Sequence, residues 1–213
     1  FSPNCAIVNA VLAKHASIVP QCAEAFEKII HDSGAPAGVW TNLFISTDQV
    51  AEIIKDPRVQ GVALTGSEGA GSSVAEQAGK YVKKSTLELG GNDVFIVLDD
   101  ADLQRAIKVG CQARINNAGQ VCTAAKRFIL HEKIAEQFKQ GMIEAFKNLK
   151  TGDPLDESTS LGPLSSASAA ENLHKQVVKA VDAGATLVLG GKPIDGAGNF
   201  FEATILENIE ESN

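Results

Sequence analysis

The chain has 213 residues, 44% of them hydrophobic, which is material for a sizeable core in one or two domains of roughly 100–200 residues each. Nineteen basic against 26 acidic side chains give a net charge of −7, and without a basic run or an aromatic-interleaved basic patch a nucleic-acid partner is excluded from the expectations. No apolar run approaches the ~20 residues of a membrane-spanning helix and no secretory leader is visible, so the expectation is a soluble, cytoplasmic protein with no membrane partner.

In chain order, the sequence opens at Phe1 rather than at a methionine and reads as a chain that begins within a domain. Cysteines stand at positions 5, 22, 111 and 122, without a Cys-x-x-Cys pair or a neighbouring His pair. Reduced thiols are therefore expected, with neither zinc nor a disulfide framework. Ala10-Val11-Leu12-Ala13 reads as a short buried strand ending at Lys14. Over residues 21–32, Cys22, Ala25, Phe26, Ile29 and Ile30 recur at helical spacing, which predicts an amphipathic helix and places Cys22 in the core. Ser33-Gly34-Ala35-Pro36 stops it. Val39 to Ile45 is strand-like, with Trp40 and Phe44 as packing residues, and Thr47-Asp48 can cap a helix over Val50–Ile54 that Asp56-Pro57 ends.

Gly61-Val62-Ala63-Leu64-Thr65 reads as a buried strand that runs into Gly66-Ser67-Glu68-Gly69-Ala70-Gly71, with a helix over Val74–Tyr81 behind it. Strand, glycine loop and helix form a phosphate-binding arrangement, because glycines admit a pyrophosphate to the backbone and the helix start offers unpaired N–H groups. The loop matches neither Gly-x-Gly-x-x-Gly nor a Walker loop, and many α/β proteins turn on glycine at such a point. Lys83–Leu89 is the next strand and delivers Glu88, after which Leu89, Gly90 and Gly91 turn the backbone tightly. Asp93–Leu98 is a further strand. Asp99, Asp100 and Asp102 suit the start of the following helix, and their spacing is wrong for a calcium loop. On that helix Leu103, Ala106, Ile107, Gly110 and Cys111 share a face, so Cys111 is expected to pack.

Asn117-Ala118-Gly119-Gln120-Val121-Cys122 then sets one cysteine at the end of a small polar turn, directly ahead of the strand Arg127–His131. Cysteine attacks as the thiolate, and loop-end N–H groups with Lys126 and Arg127 close in sequence favour that form, whereas free cysteines elsewhere are mostly small buried hydrophobes. Upstream, Arg114 is a cation that could meet a carboxylate on a substrate, or an ordinary arginine at a helix end. Ala135, Phe138, Met142, Ala145, Phe146 and Leu149 mark a long amphipathic helix. Loops at Thr151–Pro154 and Leu161–Leu164 lead to a helix marked by Ala170, Leu173, Val177 and Val181, a strand over Ala185–Leu189, and the approach to another at Phe200–Leu206. His31, His131 and His174 stand apart from any serine and acid pattern and read as surface or satisfied polar histidines.

Glu88-Leu89-Gly90-Gly91 and Gly119-Gln120-Val121-Cys122, in that order, resemble the aldehyde dehydrogenase superfamily. Gly66 and Gly71 keep the spacing of its Thr-Gly-Ser segment, and the likeness runs from Lys14 to the Gly-Gly and Phe-Phe region near the end. Cys122–Ile129 and His15-Ala16-Ser17 are similar to the bacterial-type succinate-semialdehyde dehydrogenases. The resemblance implies an α/β fold, with part of a Rossmann-like cofactor domain over residues 1–88 and most of an α/β catalytic domain, truncated at its C-terminus, over 89–213. It implies Cys122 as nucleophile, Glu88 as general base placed near it, and Lys14, Ser17, Thr65, Gly66, Ser67, Gly71 and Leu89 at the cofactor. The family commonly has a glutamate where Ser17 stands. A serine there removes a repulsion against a 2′-phosphate and favours NADP over NAD, although the same serine also suits a turn before a helix. The resemblance further implies a small aldehyde as substrate, a homo-oligomer at full length, no metal, and a chain matching only the middle of a family subunit. On that reading the oxyanion asparagine, the later Glu-x-Phe-Gly-Pro segment and the oligomerisation arm are missing, and the isolated chain has little turnover.

Overall fold

The structure is a computed structural model and describes residues 4, 6, 7 and 9–210. Phe1 and Cys5, both singled out in the sequence, lie outside the described residues. The chain divides into two compact units, Phe1–Gly90 and Gly91–Asn213. The first contains β1 (Val11–Ala13), α1 (Pro20–Asp32), β2 (Trp40–Asn42), α2 (Thr47–Lys55), β3 (Gly61–Thr65), α3 (Glu68–Lys80) and β4 (Lys84–Glu88). The second contains β5 (Val94–Val97), α4 (Leu103–Ile115), a 3₁₀ turn at Asn116–Gly119, β6 (Arg127–Leu130), α5 (Glu132–Lys147), α6 (Ala167–Asp182), β7 (Thr186–Leu189) and β8 (Ile205–Glu207). Strand pairs β1–β2, β3–β4 and β5–β6 are parallel, each with one helix between its two strands, and β7–β8 is antiparallel. Parallel neighbours require such a crossover, so the α/β class follows from three successive strand–helix–strand units.

Local chemistry sets most boundaries. Ser46 opens α2, its N–H donating to Gln49 Oε1 at 2.9 Å. The cap is thus one residue earlier than the Thr47-Asp48 expected, because Gln49 completes a reciprocal pair with Ser46. Lys83 Nζ donates to Ile54 O and Asp56 O and so satisfies carbonyls at the other end of α2. Asp102 caps α4 through Arg105 N–H, His131 caps α5 through Lys133 N–H, and Ser166 caps α6 through Ala169 N–H. Asp99 is paired with Lys133 at 2.8 Å. In the acidic run Asp102 therefore serves a helix start and Asp99 an ion pair.

The second unit is built on a continuous core in which Val97, Ile107, Cys111, Phe138, Met142 and Phe146 are buried together, with Phe95 and Phe128 packed against them. A second cluster joins Leu164, Ala170, Val177 and Phe201. Cys111 packs here as its spacing indicated, and burial pushes its thiol up. His174 meets Gly191 O at 3.2 Å and lies beside the Phe201 ring.

In the first unit several expectations fail. Cys22 is exposed rather than core, and Phe26 and Ile29 of the same α1 stripe are exposed with it. What α1 turns inward is Ile30, while Glu27 accepts the Asn42 N–H at 3.1 Å. β1 and β3 are likewise not buried strands, since Leu12 is 50% exposed and β3 alternates exposed and half-buried residues, Gly61, Ala63 and Thr65 lying exposed. α3 begins at Glu68, six residues ahead of the predicted Val74, because Ser67 caps it and the glycines of the loop continue as helix.

Candidate active site

The first unit gathers one group of the predicted residues at the C-terminal ends of β3 and β4. Thr65 and Glu88 are register partners there, and Gly66 N–H donates to Glu88 O at 3.0 Å. Ser67, extended in backbone, caps α3 by accepting Ala70 N–H at 3.3 Å. The N–H groups of Glu68 and Gly69, in the first turn of that helix, have no partner within it. Residues 66–70 are all exposed. Gly71 is buried against Leu89, and a Cβ at 71 would come 2.6 Å from Leu89 Cδ2. These features fit a dinucleotide phosphate: an open helix N-terminus, free N–H groups and a hydroxyl at the carboxyl end of parallel strands. Lys14 and Ser17 follow β1 in the other parallel pair of this unit. Ser17 lies in the exposed turn closed by Val19 N–H to Ala16 O at 3.1 Å. Beside it the His15 ring meets Phe44 edge-on, 5.1 Å between centroids.

The second unit carries Cys122 and Arg114. α4 runs to Ile115, and the chain then reverses through left-handed backbone at Asn117 (φ 49°), Ala118 (φ 54°) and Gly119 (φ 76°). For the two residues other than glycine such conformations cost of order 1–3 kcal/mol each and persist only where surroundings over-determine them. Three sets of contacts do so here. Ala118 packs against the Leu164–Phe201 cluster. Gln120 Oε1 accepts Ser165 N–H at 2.8 Å, while its Nε2 donates to Asn117 O at 3.0 Å. Arg114 donates from Nη2 to Gly119 O at 2.9 Å and from Nη1 to Ala125 O at 3.2 Å. Ala124 and Ala125, both buried, anchor the exit of the loop, and Ala125 N–H returns to Ala113 O at 3.3 Å. Cys122 itself is exposed between these anchors.

Lys126 and Arg127, read in the sequence as cations beside the thiol, are tied to backbone carbonyls: Lys126 Nζ to Gly91 O, and Arg127 Nε to Asn92 O at 3.0 Å. They fasten the segment ahead of β5 to the start of β6. A Cβ at Gly91 would lie 3.1 Å from Cys122 O, so that segment runs alongside the Cys122 backbone. Sequence reasoning singled out Arg114 but not its two carbonyls, and gave no anchoring role to Gln120 or to the Gly91–Asn92 carbonyls. The one signal for them was the Asn-Ala-Gly run, whose asparagine and glycine tolerate left-handed backbone better than most.

Unit by unit, the structure brings Thr65, Gly66, Ser67, Gly71, Glu88 and Leu89 together, and separately Arg114 with the Cys122 loop. No cluster of three or more His, Cys, Asp or Glu side chains suited to a metal ion occurs among the described residues, and no helix among them is long and apolar enough to cross a membrane.

Comparison with known proteins extends this geometry. The model of the aldehyde dehydrogenase family matches residues 1–213. A succinate-semialdehyde dehydrogenase [NADP(+)] of Deinococcus radiodurans is 46% identical over 208 residues, which is 98% of this chain and 44% of that protein. The succinate semialdehyde dehydrogenase [NAD(P)+] Sad of Escherichia coli is 46% identical over 201 residues, 94% of this chain and 44% of its own length. Among solved structures, succinic semialdehyde dehydrogenase from Streptococcus pyogenes in complex with NADP+ superposes with a TM-score of 0.94 at 51% identity, covering 99% of this chain and 46% of that one. Gox0499 does so with a TM-score of 0.92 at 55% identity, covering 96% and 45%. The chain thus spans under half the length of the curated relatives it matches.

Proposed function

The chain belongs to the aldehyde dehydrogenase family, and from that premise we propose that the full-length protein oxidises an aldehyde to its carboxylic acid, with succinate semialdehyde as the substrate and NADP, or NAD, as the cofactor. The observation that carries the reading is the exposed Cys122, held in a strained loop between hydrogen-bonded anchors while Cys111 of the neighbouring helix is buried. Relatives named for this reaction, at 46% identity over nearly the whole chain, support the substrate.

In this reading Cys122, as the thiolate, adds to the aldehyde carbon, and its backbone N–H is one donor to the oxyanion that forms. A bound nicotinamide dinucleotide supplies the acceptor for the hydride that leaves this adduct. Ser67 and the N–H groups at the start of α3 would hold its phosphates, Thr65 and Gly66 would lie beside the nicotinamide, and Gly71 with Leu89 would shape the wall behind. Lys14 and Ser17 would hold the ribose, where a serine hydroxyl would admit a 2′-phosphate that a carboxylate would repel. Glu88 takes the proton of the water that releases the acid from the Cys122 thioester. An acyl-phosphate reductase would use the same cysteine without needing that base, so Glu88 favours the oxidising reaction. Residues 1–88 serve as the cofactor-binding part and 89–213 as the nucleophile-bearing part, in a cytoplasmic homo-oligomer.

The test is a panel of aldehydes scored by kcat/KM with the full-length protein. A clear preference for the four-carbon aldehyde bearing a carboxylate is expected; an equal rate with uncharged aldehydes would remove the substrate, and no NAD(P)-dependent oxidation of any aldehyde would remove the reaction.

A further inference from the structure

We infer that Arg114 is a positioning residue for the nucleophile: by holding the carbonyls of Gly119 and Ala125, one on each side of Cys122, it sets the loop from which the thiol attacks, and it does not meet the substrate. The inference rests on the reading of Cys122 as nucleophile. Its first support is geometric. A single planar group reaches both carbonyls, at 2.9 and 3.2 Å, so the turn before the cysteine and the exit after it are fixed relative to one another. The second is steric: a Cβ at Gly119 would lie 1.8 Å from Arg114 Nη2, so the left-handed turn and the guanidinium occupy mutually fitted space. The third is environment. Arg114 is half-buried in the last turn of α4, where desolvation draws its guanidinium below its ordinary value, and both terminal nitrogens already donate to carbonyls. A substrate carboxylate would have to displace bonds that keep the loop in place.

A lysine at 114 keeps charge and stem but, as a point donor, cannot bracket two carbonyls. In the full-length protein, Arg114→Lys is expected to slow iodoacetamide alkylation of Cys122 and to lower kcat by about tenfold or more, the scale on which small misplacements of reacting groups act. The loss should be equal for succinate semialdehyde and for butanal, with KM for the acid-bearing aldehyde unchanged within about twofold. Gly119→Ala, which pushes on the same guanidinium from the other side, should give the same pattern, and the double variant should be no worse than the poorer single one. It also decides the matter should Arg114→Lys not fold. A loss confined to succinate semialdehyde, seen as a raised KM with alkylation unchanged, would overturn the inference and make Arg114 a substrate contact. Unchanged alkylation and kcat in both variants would overturn it as well. A wild-type protein that is alkylated at Cys122 yet oxidises no aldehyde would instead overturn the proposed reaction, and the alkylation rates would still decide the role of Arg114.

Discussion

In the unit Gly91–Asn213, α5 buries Phe138, Met142 and Phe146 against Val97, Ile107 and Cys111, whereas in Phe1–Gly90 the matching stripe of α1 leaves Cys22, Phe26 and Ile29 exposed. Buried apolar side chains in the first unit are Ile30, Ile54 and Ala78 among the described residues; the second adds a whole further cluster around Leu164 and Phe201. The difference matches what each unit is proposed to hold. A nucleophile on a strained loop needs packed side chains around it, and Ala118 draws on that density. The cradle at Thr65–Gly71 is made of backbone N–H groups at a helix start, which need close approach and glycine more than they need a core.

The largest test of this division removes the nucleophile. Cys122→Ala in the full-length protein should lower aldehyde oxidation by at least about 10³-fold while NADP binding, measured by fluorescence titration, stays as it was. Loss of NADP binding along with turnover would mean that the two units do not divide the work.

Next comes packing. In the 213-residue chain, Phe138→Ala should cost about 3–5 kcal/mol, since this side chain is 1% exposed and ringed by Phe95 and Phe128. Ile29→Ala, at 64% exposure, should stay within about 0.5 kcal/mol. Urea titrations of both variants check the contrast, and similar costs at the two sites would erase it.

Smaller is the effect of Ser17→Glu, which sets a carboxylate where the proposed 2′-phosphate lies. One like-charge contact in a solvated site is worth about 1 kcal/mol, so the NADP/NAD ratio of kcat/KM should fall roughly fivefold without changing Cys122 alkylation. An unchanged ratio would take Ser17 out of the cofactor site and leave it as a turn residue.

The smallest concerns acid. The Ser158 hydroxyl, then Lys150, hold the Asp156 carboxyl down to about 2 from its ordinary 3.8. A lowered carboxyl contributes above its unfolded value and loses that contribution as pH falls through the folded one, so the loop 151–161 should loosen from about pH 4 towards 2. In the first unit Asp56 is lowered through Arg58 in the same sense. Asp156→Asn should flatten the acid response of the second unit's loop alone, read by hydrogen exchange, and leave residues 56–58 responding as before.

Much of the local architecture was legible in residue order. α4, α5 and α6 each show the apolar spacing that predicts them, and the buried face of α4, with Ile107, Gly110 and Cys111, is the face that spacing named. The pairing of Glu-Leu-Gly-Gly with Gly-Gln-Val-Cys pointed to the family that the match over residues 1–213 establishes. These features are encoded at short range, by the helical repeat and by capping partners about three residues apart. Spacing also marked Cys22, Phe26 and Ile29 as one apolar stripe, but periodicity says which face is apolar and nothing of what covers it. The same limit applies to cations. Lys126 and Arg127 read as charges near a thiol and Arg114 as a cation for a substrate carboxylate or a helix-end arginine, yet each donates to backbone carbonyls brought close by chain reversal, at Gly119 and Ala125 and, 35 residues away, at Gly91 and Asn92. A long side chain in sequence has many carbonyls within reach, and only the folded loop, with its left-handed turn at 117–119, selects the ones it keeps.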